Sequence, residues 1–399
     1  MKANLVLASR MSRLGTESAF EVLARAKALE AQGRPIINLG IGQPDFKTPP
    51  HIVEAARKAL ADGHHGYTPA NGILPLREAV AADLRRRHGV EVSPADVLVV
   101  PGGKVTMFFA ITMFGEEGAE ILYPNPGFPI YESVIRYSGA TPVPIDLHED
   151  KGFSFSAEEV LAKITPRTRL MIINSPANPT GGVVPKSEFD KLAAGLERHP
   201  QVAIMSDEIY GEILYDGARH VSLLSYPNLR DRVILLDGWS KTYAMTGWRM
   251  GYGIWPAALF PHAERLAINC HSCVNAAAQY GGIAALTGRR NEVEHMVEAF
   301  AERRKIIVAG LNKLPGFRCA TPGGAFYVFP NIAGTGFGAK ELETRLLDEA
   351  SVATVAGTSF GAYGEGYLRF SYAASREAIE EAMSRIGTWL DRQGNQRRA

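Results

Sequence analysis

Short apolar runs, each closed by a turn or a polar residue and separated by helical patterns, constrain the fold of this chain more than any other feature. They lie at Val97–Val100, 120–123, 170–174, 202–206 and 233–236, and β-branched or aliphatic residues dominate them. Strands buried on both faces read this way, and such strands belong to parallel sheets flanked by helices. The pattern predicts a doubly wound α/β domain over residues 50–285. Ligands on such a sheet bind outside the carboxyl ends of the strands, so the polar residues that follow each run are the candidates for chemistry.

The remainder is expected to form a second body. A helical stretch at 18–32, with apolar positions Phe20, Leu23, Ala24 and Ala28, ends at Gly33, and a short strand is expected at 36–39. Beyond Ala285 come a helical pattern at 292–314, strand-like runs at 325–329 and 367–371, and a closing helix from Arg376 to about Arg392. These predict a smaller α+β domain over 286–399, which the N-terminal segment 1–49 joins. No internal repeat, low-complexity tract or Pro/Ser-rich linker separates the two parts, so they should pack closely.

Bulk composition narrows the function. The 399 residues are 46% hydrophobic, enough for two or three structural units with a large core. Forty-three basic side chains against forty-two acidic ones leave a formal charge of +1. That balance offers no general attraction to nucleic acid or to an anionic membrane, and small-molecule chemistry becomes the default. No apolar run approaches the roughly 18–20 residues of a membrane helix, and the opening ten residues are too short for a signal peptide. A cytoplasmic location is expected, and three cysteines make no disulfide framework. Cys270 and Cys273 have the spacing of a redox or zinc site, but no second such pair exists and Cys319 is remote. They read as small buried helix residues, and no metal site is expected. His64 and His65 read as a polar turn.

Chemistry concentrates in the stretch Gly238-Trp239-Ser240-Lys241-Thr242-Tyr243, which continues to Gly247-Trp248-Arg249-Met250-Gly251. A lysine amine among small and hydroxyl residues, with an arginine eight positions on, is arranged to form a Schiff base while the arginine grips a phosphate. Those are the two handles of pyridoxal 5'-phosphate (PLP). Pro101-Gly102-Gly103-Lys104 follows the first apolar run and opens a helical pattern at 105–114. Glycines there let backbone N–H groups at a helix N-terminus approach an anion.

Taken together, these motifs resemble those of a class I/II aminotransferase of the PLP-dependent fold type I superfamily, in the aspartate, alanine and aromatic aminotransferase branch. The match runs from about Arg13 to the last helix, with the motifs in the family's order. The resemblance implies a large, mainly parallel PLP-binding domain with a smaller α+β domain, and a role for each matching position. Lys241 would carry the cofactor, and Gly102, Gly103 and Lys104 would form its phosphate loop with Arg249 as the charged partner. Many relatives place a serine where this chain has Gly238, so Ser240 is the candidate substitute donor. Asp207, in Ser206-Asp207-Glu208-Ile209-Tyr210, would keep the pyridine nitrogen protonated. Tyr210 and Asn178, the latter in Asn178-Pro179-Thr180-Gly181, would bond the phenolic oxygen, and Phe128 would stack on the ring. Tyr67 would reach the phosphate of a neighbouring subunit's cofactor, making a homodimer with shared sites obligatory. Arg369 would clamp the substrate α-carboxylate, with Gly42 offering a backbone N–H to the same group and Asn178 also touching substrate.

The activity so implied is amino transfer between an L-amino acid and a 2-oxo acid by a ping-pong mechanism, with Lys241 as general base and then acid. Aspartate with 2-oxoglutarate leads by family prevalence, and alanine, aromatic or branched-chain donors stay open. A fold type I lyase, decarboxylase or acyl-transfer enzyme uses the same cofactor contacts and is the rival reaction class. A regulator that senses an effector through this fold is the third reading, and it calls for an appended DNA-binding module that is not expected before Arg13.

Overall fold

The computed structural model describes residues 5–396; the start of the opening segment, 1–4, and residues 397–399 lie outside it. Helix α1 (Ser18–Ala31), strand β1 (Ile37–Asn38) and helices α2 (Pro50–Ala61) and α3 (Leu74–His88) lead into the main sheet. The sheet and its crossovers follow as β2 (Val97–Val100), α4 (Lys104–Phe114), β3 (Glu120–Asn125), α5 (Ile130–Ser138), β4 (Thr141–Asp146) and α6 (Ala157–Ala162). They continue through β5 (Thr168–Asn174), α7 (Lys186–Leu196), β6 (Ala203–Asp207), β7 (Val233–Gly238) and β8 (Gly251–Ile254). Helices α8 (Phe260–His271), α9 (Ala276–Thr287) and α10 (Asn291–Leu311) precede β9 (Tyr327–Val328), α11 (Ala339–Glu349), β10 (Val352–Ala353), β11 (Val355–Ala356), β12 (Leu368–Ser371) and α12 (Arg376–Gln396).

Seven strands form the main sheet in the order β2-β8-β7-β6-β5-β3-β4. Strand β8 runs antiparallel to both its neighbours, and the other pairings are parallel. Successive side chains of a strand point to opposite faces, and each face here has its own core. Val97, Val99, Met171 and Ile173 join one cluster with Leu76, Val80, Phe189 and Leu192. Leu98, Val100, Leu170 and Ile172 join the other with Met107, Ala110, Val134 and Ile135. Helices α3 and α7 therefore cover one face while α4 and α5 cover the other. This double covering is why the sequence shows continuous apolar runs rather than alternation.

Two strands differ from the sequence expectation. Strand β4 contains Pro142 and Pro144, and it pairs only with β3 at the sheet edge, where a missing N–H is tolerated. Strand β8 carries two glycines among its four residues and begins at the end of the lysine motif, so its composition gives only a weak strand signal.

A second body forms around a three-stranded antiparallel sheet of order β11-β12-β9, with the parallel pair β1–β10 beside it. Phe300, Phe326, Phe370 and Tyr372 fill its core, and Ile379 and Ile386 close it from α12. Strand β1 and helix α1 pack on this body. The buried face of α1 is Val22 and Ala26 against Leu347 and Ala353, with Leu29 beside them. The expected stripe of Phe20, Leu23, Ala24 and Ala28 is corrected: Leu23 is half-buried and the other three are exposed, because the partners of this helix come from α11 and β10 on its other side. The cysteine reading is corrected too. Cys270 is exposed near the end of α8 and Cys273 is half-buried in the loop after it. No helix among the described residues is long and apolar enough to cross a membrane.

Because Phe300 is fully buried and meets Phe326 and Tyr372 edge-on or tilted, Phe300→Ala should remove about 3–5 kcal/mol of stability. Urea unfolding measures this as a lower midpoint, and a loss under 1 kcal/mol contradicts the packing described.

Candidate active site

Strands β5, β6 and β7 end at the same edge of the sheet, where Asn174 is in register with Asp207, and Asp207 with Leu236. Their polar ends, together with the N-terminal segment and β12, enclose a cavity of 460 Å³. Ten residues singled out from sequence line it: Gly42, Gly103, Lys104, Phe128, Asn178, Asp207, Tyr210, Lys241, Arg249 and Arg369.

Asp207 is buried at the floor of the cavity. The Tyr131 hydroxyl donates to its Oδ2 at 2.5 Å, and the Ile209 backbone N–H donates to Oδ1 at 3.3 Å. Burial pushes the carboxyl up to about 6 against the pull of those two donors. The Asn174 Nδ2 donates to the Asp207 carbonyl at 3.0 Å, and Asn174 Oδ1 accepts the Asn178 N–H at 2.9 Å, which ties neighbouring strand ends into one frame.

Lys241 follows β7, and its Nζ donates to the Gly42 carbonyl at 2.6 Å. Burial, then the Arg369 charge, lower the amine to about 8, so a neutral nucleophilic form is accessible near physiological pH. Gly42 thus offers its carbonyl to the lysine in this structure. Tyr210 and Tyr327 share a hydrogen bond of 2.8 Å between their hydroxyls, and burial raises both phenols.

Arg369 enters from β12 and is buried. Its Nη1 donates to Asn178 Oδ1 at 2.9 Å and its Nη2 to the Gly40 carbonyl at 2.5 Å. Its guanidinium lies 4.7 Å from the ring centroids of both Tyr327 and Phe360. Nε has no partner, and among the described residues no carboxylate pairs with this charge. A buried guanidinium without a counter-ion is a site for an incoming carboxylate.

Arg249 supplies a second anion cradle. It adopts the left-handed region with φ 54°, and its Nη1 donates to the Thr246 carbonyl at 2.6 Å. Gly102 has φ +95°, and a Cβ there would fall 2.1 Å from Arg249 Nη2, so only glycine lets the guanidinium lie against the turn that opens α4. The start of a helix and an adjacent guanidinium together suit a phosphate.

The profile of the family described as aminotransferase class I and II matches residues 34–386. The chain belongs to the class I and II aminotransferases. The aspartate aminotransferase of Geobacillus stearothermophilus is 38% identical over 391 residues, spanning 96% of this chain and 99% of the relative. The aromatic-amino-acid aminotransferase 2 of Thermococcus litoralis is 36% identical over 385 residues, spanning 96% and 97%. The crystal structure of the aspartate aminotransferase from Rhizobium meliloti superposes with a TM-score of 0.92 at 34% identity, covering 98% of this chain and all of that one. The fold type I architecture expected from sequence is the one this aminotransferase has.

Three sequence candidates lie off the cavity wall of this aminotransferase. Gly102 sits behind Arg249, as described. Ser240 is buried but does not line the cavity. Tyr67 is 93% exposed and lines a separate depression with His64 and Cys273. The missing serine at Gly238 has a steric cause. Gly238 pairs with Gly251 across β7 and β8, and a Cβ at Gly238 would lie 2.8 Å from the Gly251 Cα. The lining residues that the sequence reading did not single out include Glu17, Tyr131, Asn174 and Tyr327. Tyr131 follows Phe128 by three positions in Phe128-Pro129-Ile130-Tyr131, a spacing that could have placed both on one side of a helix start. Tyr327 sits in an apolar run and reads as core.

Gly238→Ser should therefore cost about 1–3 kcal/mol through overpacking of the β7–β8 pair. Thermal unfolding checks it; an unchanged midpoint would show that the strands can part to admit the side chain.

Proposed function

We propose that this aminotransferase holds PLP in the 460 Å³ cavity, with Lys241 as its covalent anchor. The donor set fits the group: an anion cradle at Arg249 and the start of α4, a buried carboxyl at Asp207, an aromatic wall at Phe128, and an amine at Lys241. Bound PLP supplies a carbonyl for amine exchange and a protonated ring that accepts the electron pair left when the substrate Cα–H bond breaks. Asp207 keeps a proton on the ring nitrogen, and Tyr131 holds the Asp207 carboxyl in place. Tyr210 and Asn178 bond the phenolic oxygen, and Arg249 with the Gly103 and Lys104 backbone holds the phosphate. Arg369 fixes the substrate α-carboxylate. Once the substrate amine has displaced it from its covalent link, Lys241 Nζ would take the proton from the substrate Cα and carry it as an acid. The observation that carries this reading is the buried Arg369 charge, which makes no ion pair with a carboxylate among the described residues and leaves its Nε unbonded.

The substrates we assign are aspartate and 2-oxoglutarate, exchanged by ping-pong kinetics. Aspartate aminotransferases stand among the relatives that match nearly end to end. A dicarboxylate needs a second cation, and Lys104, whose side chain pairs with Glu17 at the cavity wall, is the cavity lysine that does not anchor the cofactor. The Lys104 amine lies 5.1 Å from the Phe128 centroid and its side chain is half exposed, which favours substrate over phosphate as its partner. An aromatic donor is the second reading, supported by the Phe20, Met107 and Phe128 walls.

The same proposal takes the protein as a homodimer, in which exposed Tyr67 reaches the partner's phosphate, and as cytoplasmic, a compartment that suits its three free thiols. It divides the chain at residues 50–285 and 286–399, with 1–49 joined to the latter. The β1–β10 pairing and the α1 contacts support that division.

Lys241→Ala should abolish both turnover and the absorbance of the protein-bound cofactor; retained turnover with aspartate and 2-oxoglutarate would refute the anchor. A pH test follows from the amine lowered to about 8. The neutral amine is the nucleophile and its fraction grows with pH, so uptake of PLP by the cofactor-free protein should quicken as pH rises and level off above about 8. Stopped-flow absorbance measures it. A rate still climbing steeply at pH 10, as for an ordinary lysine, contradicts the proposed environment.

A further inference from the structure

Glu17 stands at the head of α1, in the N-cap position, yet its side chain makes no capping bond to its own helix. A capping side chain ordinarily satisfies the first free N–H groups, so this carboxylate is committed elsewhere. Its Oε2 accepts from Lys104 Nζ at 2.5 Å, across 87 positions of sequence and from one body to the other. The Glu17 side chain is only 18% exposed against 46% for Lys104, and both residues line the cavity. Phe20 and Phe128 flank the lysine, with centroids 5.6 and 5.1 Å from its amine. The segment just before α1 is moored to α5, through Arg13 Nε to the Arg136 carbonyl and the Gly15 N–H to Ser133 Oγ, both at 2.9 Å. Glu17 is thus delivered to the cavity by a stretch of backbone tied to α5, with its carboxylate on Lys104.

The chemistry of amino transfer makes this pair consequential. One cavity must accept, in successive half-reactions, side chains that differ in charge. A lone lysine amine there would favour an anionic side chain and penalise a neutral one, which would cover the charge without pairing it. With Glu17 in place the pair is neutral, and the aromatic walls suit an uncharged side chain.

We infer that Glu17 is a displaceable internal carboxylate that occupies Lys104 in the free enzyme and leaves it when a dicarboxylic substrate binds. A substrate with a neutral side chain leaves the Glu17–Lys104 pair intact. The enzyme so built admits both classes, and it holds dicarboxylates less tightly than an unopposed lysine would. The assignment deepens the proposed substrate reading and rests on it only in placing the distal carboxylate at Lys104.

The test compares succinate with butyrate as ligands of the holoenzyme, titrated calorimetrically in wild type, Glu17→Gln, Lys104→Gln and the double variant. The glutamine keeps the shape and removes the charge. Partly exposed ion pairs contribute up to about 1 kcal/mol, so Glu17→Gln should tighten succinate about fivefold and leave butyrate within about twofold. Lys104→Gln should weaken succinate, and adding Glu17→Gln to it should then change nothing, the signature of a coupled pair. Equal effects on the two ligands, a Glu17→Gln gain that survives loss of Lys104, or succinate binding to none of the four proteins would overturn the inference. Aspartate turnover by wild type, assayed alongside, separates the two proposals. Its absence, with the succinate pattern intact, would overturn aspartate as substrate and leave Glu17 standing.

Discussion

One guanidinium ties the molecule together. Arg369 comes from the central strand of the small sheet, donates to Asn178 beyond the end of β5, and donates to Gly40 in the N-terminal segment. Three stretches far apart in sequence therefore converge on a charge that has been taken out of water. Burying such a charge costs several kcal/mol, and carbonyl oxygens and ring faces return only part of that. The unmet Nε is the remainder. A fold that tolerates it has stored a demand for an anion at one point between its two bodies, and the rest of the cavity is arranged around that demand.

The opposing side of the cavity works by the reverse logic. Asp207 and Asp237 sit at adjacent strand ends, each pushed up to about 6 by burial. Asp237 is answered within the chain, by Arg87 Nη2 at 2.9 Å and by the Tyr252 hydroxyl at 3.2 Å. Asp207 has only neutral donors in Tyr131 and Ile209. Neighbouring carboxyls with similar burial are thus given different work: one holds the β7 and β8 ends to α3, and the other faces the cavity ready for a cation. Behind Asp207, Glu208 is fully paired by His220, Ser206, Ser222 and the Leu223 N–H, which fixes the backbone that aims Asp207.

Which of these features the amino-acid sequence reveals follows from where their physical causes lie. Strands buried on both faces leave a local record, and the runs at 97–100, 170–174 and 233–236 all fall within observed strands. Strands β4 and β8 leave only a weak one, since an edge position excuses prolines and a close strand pair demands glycines. The face of α1 was illegible because Leu347 and Ala353, which bury it, lie more than three hundred residues on. In the site, the residues carried by contiguous motifs, Lys241, Arg249, Asp207 and Asn178, were readable and converge on one cavity. Glu17, Tyr131 and Tyr327 act through partners distant in sequence, and each reads locally as a helix start or as core. Ser240, beside Lys241 along the chain, is not on the cavity wall.

The central claim is that one amine, at Lys241, captures the cofactor in the cavity bounded by Asp207, Arg249 and Arg369. Borohydride reduction of the PLP-loaded protein, followed by peptide mass mapping, tests it most directly. The account predicts a single pyridoxyl adduct per chain, on the peptide containing Lys241. An adduct on Lys104 or on a surface lysine with Lys241 unmodified would contradict it.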